Sequence, residues 1–191
     1  PKLEKTIYSG YIAQGEKVEL FEKKLSDYFE NHNILTVNSG TSALHLALLL
    51  SNVGVGDEVI STALTAEPTN TAILQTGAKI VWADVESDTG LIDPNSVENL
   101  ISKKTKAIMV VHYAGMVANL NQFYKIRKKY KIPIIEDCAH SFGAEYKNKK
   151  LGYYSDFAIY SFQAIKHITT VDGGILITKS KEQYNRAKKL R

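Results

Sequence analysis

Apolar positions along the chain recur in two rhythms. From Gly15-Glu16 onward, Val18, Phe21, Leu25, Tyr28 and Phe29 fall three or four residues apart, which predicts an amphipathic helix. Ile34-Leu35-Thr36-Val37 reads as a strand. After the small polar run Asn38-Ser39-Gly40-Thr41-Ser42, a second helix is predicted through Ala43, Leu44, Leu46, Ala47 and Leu50. The turn Gly54-Val55-Gly56-Asp57 leads to a strand at 58–61, and Pro68 to Gln75 predicts a helix closing at Gly77. Strands are predicted at 80–83, 107–111 and 132–135, with a helix over 120–130. Two further strand-like runs, 157–160 and 175–178, precede a last helical pattern over 183–191. Strands separated by helix-length segments imply crossover connections, and so an α/β fold in three layers, α/β/α, with a mostly parallel central sheet. Ligands in such sheets collect beyond the carboxyl ends of the strands. That rule puts Ser39 to Ser42, Thr65 to Thr69, His112-Tyr113 and Glu136-Asp137 on one rim.

A length of 191 residues suits one domain with a substantial core, and 44% hydrophobic residues is ordinary for a globular chain. The net charge of +4 comes from basic runs at 103–106, 127–131, 147–150 and 186–191. These read as solvated helix faces and turns, and no basic groove interleaved with aromatics suggests nucleic acid. One cysteine, Cys138, excludes an internal disulfide. With no signal peptide and no apolar run long enough to cross a bilayer, the expectation is a cytoplasmic protein without a membrane partner. No Gly-x-Gly-x-x-Gly follows a strand, which argues against a nicotinamide oxidoreductase.

The candidate chemistry centres on Lys166. It lies on the connection between the strand-like runs 157–160 and 175–178, just after the hydroxyl of Ser161 and before the pair Gly173-Gly174. A lysine in such a buried connection is costly unless it is paired, neutral or covalently used, and a desolvated lysine is the usual nucleophile for a carbonyl. Upstream, strand, small polar loop and helix at Ser39 to Ser42 form the geometry that offers backbone amides to an anion; one of these hydroxyls is also expected to cap the helix. The strand ending at Ile135 runs into two acids that cannot both face inward, so Asp137 is predicted to face the site and Glu136 to face away. A carboxylate there can hold a proton on a ring nitrogen, orient a histidine, cap the turn or bind a metal. Asp137 and His140 offer a metal two ligands but no third or fourth at useful spacing, so no metal site is assigned. A phosphate cradle, an acid and an amine are what the phosphate, ring nitrogen and aldehyde of pyridoxal 5′-phosphate call for.

Several segments, in this order, carry a family resemblance: Ser9-Gly10 with Gly15, Asn38 to Leu44, Asp84 to Asp93, Lys104 to Ile108 leading to His112-Tyr113-Ala114-Gly115, Glu136 to Gly143, and Ser161 to Gly174. The chain resembles the first half of the DegT/DnrJ/EryC1/StrS sugar aminotransferases, pyridoxal-phosphate enzymes of fold type I. The resemblance implies that Lys166 binds the cofactor aldehyde and later moves the substrate proton. Asp137 would pair with the pyridine nitrogen, and His140 would lie near the ring hydroxyl. Gly40, Thr41 and Ser42 would cradle the phosphate together with Ser161. It further implies glutamate or glutamine as amino donor, a nucleotide-linked keto-sugar as acceptor, and a homodimer.

Departures from the family pattern are also legible. Ala66 stands where an aromatic ring stacks on the cofactor, and Val171 replaces the first glycine of a Gly-Glu-Gly-Gly run. A related dehydratase branch has His for the lysine; Lys166 before His167 favours amino transfer. The expected unit is the cofactor-binding large domain, 1–191, without the family's smaller C-terminal domain, as a truncated piece or a split gene product. The alternative is a non-catalytic cofactor-binding or regulatory module of the same fold.

Overall fold

The predicted alternation folds as one seven-stranded sheet with helices on both faces, in a computed structural model that describes residues 2–191. In chain order the elements are α1 (Lys2–Tyr8), α2 (Glu16–Phe29), β1 (Ile34–Val37), α3 (Gly40–Leu50), β2 (Glu58–Thr62), α4 (Glu67–Gln75), β3 (Lys79–Ala83), α5 (Pro94–Leu100) and β4 (Thr105–Val111). There follow α6 (Leu120–Tyr130), β5 (Ile134–Asp137), a small hairpin of β6 (Glu145–Tyr146) and β7 (Lys149–Lys150), then β8 (Phe157–Ser161), β9 (Gly174–Thr178) and α7 (Lys181–Leu190). Strand order is β1-β9-β8-β5-β4-β2-β3. Among the described residues every pairing within this sheet is parallel except those of β9, which runs against β1 and β8.

Period-two alternation divides the core into two faces. Leu35, Val59, Met109, Val111, Ile135, Ile159 and Leu176 pack under α3, α4 and α7. Ile34, Ile60, Ile108, Val110, Ile134, Tyr160 and Ile175 pack against α2, α5 and α6. Caps fix where the helices begin. Ser39 Oγ accepts from the Ser42 amide at the start of α3, Asp93 from Asn95 and Ser96 before Pro94 of α5, Asn119 from Gln122 and Ser180 from Gln183.

Two differences from the predicted elements matter for the site. The strand expected at 132–135 is observed at Ile134–Asp137, so both acids belong to the ladder, paired with Ala158 and Ile159 of β8. His112, expected on the rim, turns its imidazole to the other face. Val111 packs toward α3, so the next side chain points away from it, and His112 is fully buried there.

Candidate active site

The carboxyl ends of β1, β2, β5 and β8 surround a cavity of about 290 Å³, at the small end of small-molecule sites. Its first wall is the start of α3, contributed by Ser39, Gly40 and Thr41. Ser39 takes up the Ser42 amide, whereas among the described residues the amides of Gly40 and Thr41 donate to no protein acceptor. Two free amides at the positive end of an eleven-residue helix suit an anion. Close packing holds this helix end against the sheet. A Cβ on Gly40 would stand 3.0 Å from that of Ser161, and one on Gly174 would stand 2.6 Å from the Ser39 carbonyl.

The second wall is Asp137, only 4% exposed. Its Oδ1 accepts from the Ala139 amide at 3.0 Å and its Oδ2 from the Thr69 hydroxyl at 2.8 Å, and Thr69 in turn meets the Thr65 hydroxyl at 2.9 Å. Both donors are neutral. A buried carboxylate held in this way retains lone pairs for a cationic N–H. Thr69 sits on the first turn of α4 and is itself buried. Replacing it with valine keeps the shape and removes the donor, so Thr69→Val is expected to lower stability by about 1.5–3 kcal/mol, read as a lower denaturation midpoint.

The third wall is Ser161 at the end of β8 and the loop from there to β9, which carries Gln163, Ile165, Lys166 and Asp172. Lys166 is half-buried on a turn closed by its amide donating to the Gln163 carbonyl at 2.9 Å. His140 lines the same cavity from the segment after β5, and its ring packs on Tyr113 at 5.8 Å. Burial, then the nearby Lys166 ammonium, hold the His140 imidazole below its ordinary pKa, with Asp137 opposing and His167 adding to the fall. That electrostatic reach brings lysine, histidine and aspartate into one field.

The same loop stores strain. Val171 has φ +71°, a left-handed conformation that a β-branched side chain disfavours by roughly 1–2 kcal/mol. Its amide donates to Thr169 Oγ1, and Thr170 Oγ1 donates to the Asp172 carbonyl, which holds the turn. Since Val171 is 79% exposed, Val171→Gly loses little packing. After the greater chain entropy of glycine it is expected to raise stability by about 0.5–1 kcal/mol and Tm by about 2 °C. The conformation also accounts for the glycine that the family pattern places there.

Of the residues singled out in the sequence, Lys166, Asp137, His140, Gly40, Thr41 and Ser161 line this one cavity. Ser42 does not. Its hydroxyl meets Ser39 Oγ at 3.0 Å and lines a larger groove on the far side of Ser39, beside His45, Phe21 and Arg191. Ala66 lines the cavity with a methyl group, and the His140 imidazole is the sole aromatic ring on its wall among the described residues. Sequence reasoning put Thr65 and Thr69 on the rim without a role, noted Asp172 only as the acid kept in the altered glycine run, and missed Gln163. Thr69 was readable as a hydroxyl in the first turn after a strand, but its partner lies 68 positions away. The metal alternative paired Asp137 with His140. The buried group that brings ligand atoms together is instead His112, Glu136 and Cys138, within 4.8 Å on the opposite face of the sheet.

A layered sheet whose only antiparallel insertion follows a loop lysine, with a buried acid at a central strand end and a helix N-terminus beside it, defines the large domain of a fold-type-I pyridoxal-phosphate transferase. Within that class the chain belongs to the DegT/DnrJ/EryC1/StrS aminotransferase family, whose pattern it matches over residues 1–191. It is similar to Uncharacterized protein MJ1066 of Methanocaldococcus jannaschii, 39% identical over 97% of this chain and 48% of that protein. Among solved structures it superposes on AtS13 from Actinomadura melliaura with a TM-score of 0.92 and 40% identity, covering 96% of this chain and 51% of that one. The sugar aminotransferase CalS13 from Micromonospora echinospora gives 0.86 and 35%, over 92% and 49%. The chain thus spans about half the length of these relatives. Enzymes of this family depend on pyridoxal phosphate, and similar solved structures hold it or its aminated form.

Proposed function

We propose that residues 1–191 form the cofactor-binding domain of a sugar aminotransferase that moves an amino group from glutamate or glutamine to a nucleotide-linked keto-sugar. The observation that carries this reading is the convergence of the Lys166 amine, the buried Asp137 carboxylate and the free amides of Gly40 and Thr41 on one cavity. Pyridoxal phosphate, when bound, supplies an aldehyde for amines and an electron-withdrawing ring. In this reading the α3 amides and the Ser161 hydroxyl hold the phosphate. Asp137, fixed by Thr69 and Ala139, keeps a proton on the ring nitrogen. His140 hydrogen-bonds the ring hydroxyl. Lys166 would hold the aldehyde end of the cofactor and move the proton at the substrate carbon. Leu44, Val111 and Ile159 line the inner wall and keep water from these groups.

A homodimer is part of the proposal, supported by the apolar side chains of Leu3, Ile7, Tyr11 and Ile12, all more than half exposed near the start of the chain. A reducing cytoplasm suits the one buried free thiol, Cys138, and no helix among the described residues is long and apolar enough to cross a membrane. The test is a titration of the purified chain with pyridoxal phosphate, borohydride trapping with peptide mass mapping, and then addition of glutamate to the untrapped sample. Trapping at Lys166 and release of one 2-oxoglutarate per bound cofactor are expected. Trapping without release would favour the non-catalytic module, for which the methyl of Ala66 in place of a stacking ring is the supporting observation.

A further inference from the structure

We propose that Glu136 and His112, buried on the sheet face opposite the cavity, are positioning residues for His140, acting through the turn that carries Tyr113. Glu136 follows Ile135 and precedes Asp137 in β5, so strand alternation sends its carboxylate away from the cavity. It is fully buried and accepts from two donors, the Tyr124 hydroxyl at 2.6 Å and His112 Nε2 at 3.2 Å. Burial and the adjacent Glu136 carboxylate push the Tyr124 phenol far above its ordinary pKa, so it stays a donor.

The His112 tautomer is set by its other nitrogen. Nδ1 accepts from the Ala118 amide at 3.1 Å, so the ring proton lies on Nε2 and points to Glu136. The three side chains are therefore organised as a hydrogen-bond network, with Cys138 beside them and its thiol held in the protonated form by burial. His112 also donates its backbone amide to the Asp137 carbonyl at 3.1 Å. One residue thus ties the end of β4 to β5 and to Ala118.

Between these anchors the chain makes a tight reversal. Ala114 has φ +52° and Gly115 φ +88°, and the Met116 amide closes on the Tyr113 carbonyl at 3.0 Å. This turn lies against His140 at two points. The Tyr113 ring packs on the imidazole, and a Cβ on Gly115 would stand 3.4 Å from the His140 carbonyl. None of the three side chains lines the cavity; beyond the His112 amide bonded to Asp137, what they hold against His140 is that turn.

This inference rests on the proposed role of His140 but is tested without cofactor. The readout is the imidazole titration of His140 by NMR in the full chain, its signal assigned by His140→Gln. The charged groups facing that ring are Lys166, Asp137 and His167. Glu136→Leu keeps roughly the volume but removes both acceptors and leaves the His112 Nε2–H unpaired, so the hold on the end of β4 is lost. Glu136→Leu, and Tyr113→Ala from the near end, are each expected to move the His140 midpoint up toward its ordinary value, as the burial that lowers it is relaxed. Tyr124→Phe removes a donor and keeps the His112 bond, and should lower stability while leaving the midpoint in place. A folded Glu136→Leu with a wild-type His140 midpoint overturns the proposal. Should that variant not fold, an unmoved midpoint in Tyr113→Ala overturns it instead. Failure of the cofactor reading would show separately, as no trapped adduct at Lys166 in the wild type.

Discussion

Lys166→Ala is expected to remove borohydride-trapped pyridoxal phosphate from the chain entirely and to slow 2-oxoglutarate release by at least about 100-fold. The first effect is one of valence, since alanine has no amine to join the aldehyde. The second follows from the loss of the group proposed to move the proton at the substrate carbon, because a positioned acid–base side chain contributes roughly 10²–10⁴-fold. Stability should hardly change. Lys166 is half-buried on a turn between exposed neighbours and outside both core clusters, where substitutions usually stay within about 0.5 kcal/mol. The α3 amides proposed to hold the phosphate are untouched, so the variant should still bind the cofactor reversibly. An adduct of unchanged stoichiometry in Lys166→Ala, mapped to another lysine, would remove Lys166 from the centre of the site. Lys166→Arg makes a useful companion, because it keeps the cation beside His140 and Asp137 while lacking a nucleophilic amine.

Much of this arrangement was legible in the residues because its parts follow local rules. The rhythm of Val18, Phe21, Leu25 and Phe29 marks α2, whose inner residues Leu25 and Phe29 are buried. Alternation along β4 and β5 forecasts that Asp137 and Glu136 face opposite ways, as they do. The misjudged features depend on pairings that local rules do not contain. β5 was ended at Ile135 because two acids interrupt an apolar run, yet the ladder continues through both, since each carboxylate finds donors from distant elements: Thr69 for one, His112 and Tyr124 for the other. α5 carried a capping aspartate and a proline at its first turn, but its seven residues make too short a pattern to register as a period. Ser42 belonged to the right segment, and its place beyond Ser39 was set by which hydroxyl became the cap. The reversal of β9 has no local signature. It depends on the 162–173 connection being too irregular to form a crossover helix, so that β9 returns beside β8.

That return gives Gly174 the most constrained position in the site, and Gly174→Ala is the substitution expected to cost the fold most. Its added Cβ would stand 2.6 Å from both the carbonyl carbon and the oxygen of Ser39, and 2.7 Å from the Gly40 nitrogen. All three are backbone atoms. A flexible side chain could swing aside, whereas these belong to the turn that starts α3. β9 cannot retreat either, since Gly174 is registered with Val37 of β1 on one side and Ser161 of β8 on the other. Overpacking of this kind costs typically about 1–3 kcal/mol and more where neither partner can move. A loss of about 3 kcal/mol is therefore expected, with Tm lower by roughly 6–12 °C. The displaced atoms are also those beside the free amides of Gly40 and Thr41. Surviving folded Gly174→Ala should thus bind pyridoxal phosphate about tenfold more weakly, the equivalent of one lost anion contact. Gly54→Ala provides the comparison, for no atom lies within 4 Å of its added Cβ. That change should leave Tm unaltered or raise it slightly, as expected where only the unfolded chain is restricted. Equal midpoints for the two variants would mean that β9 and the start of α3 are not in contact, and the phosphate cradle would lose its physical basis.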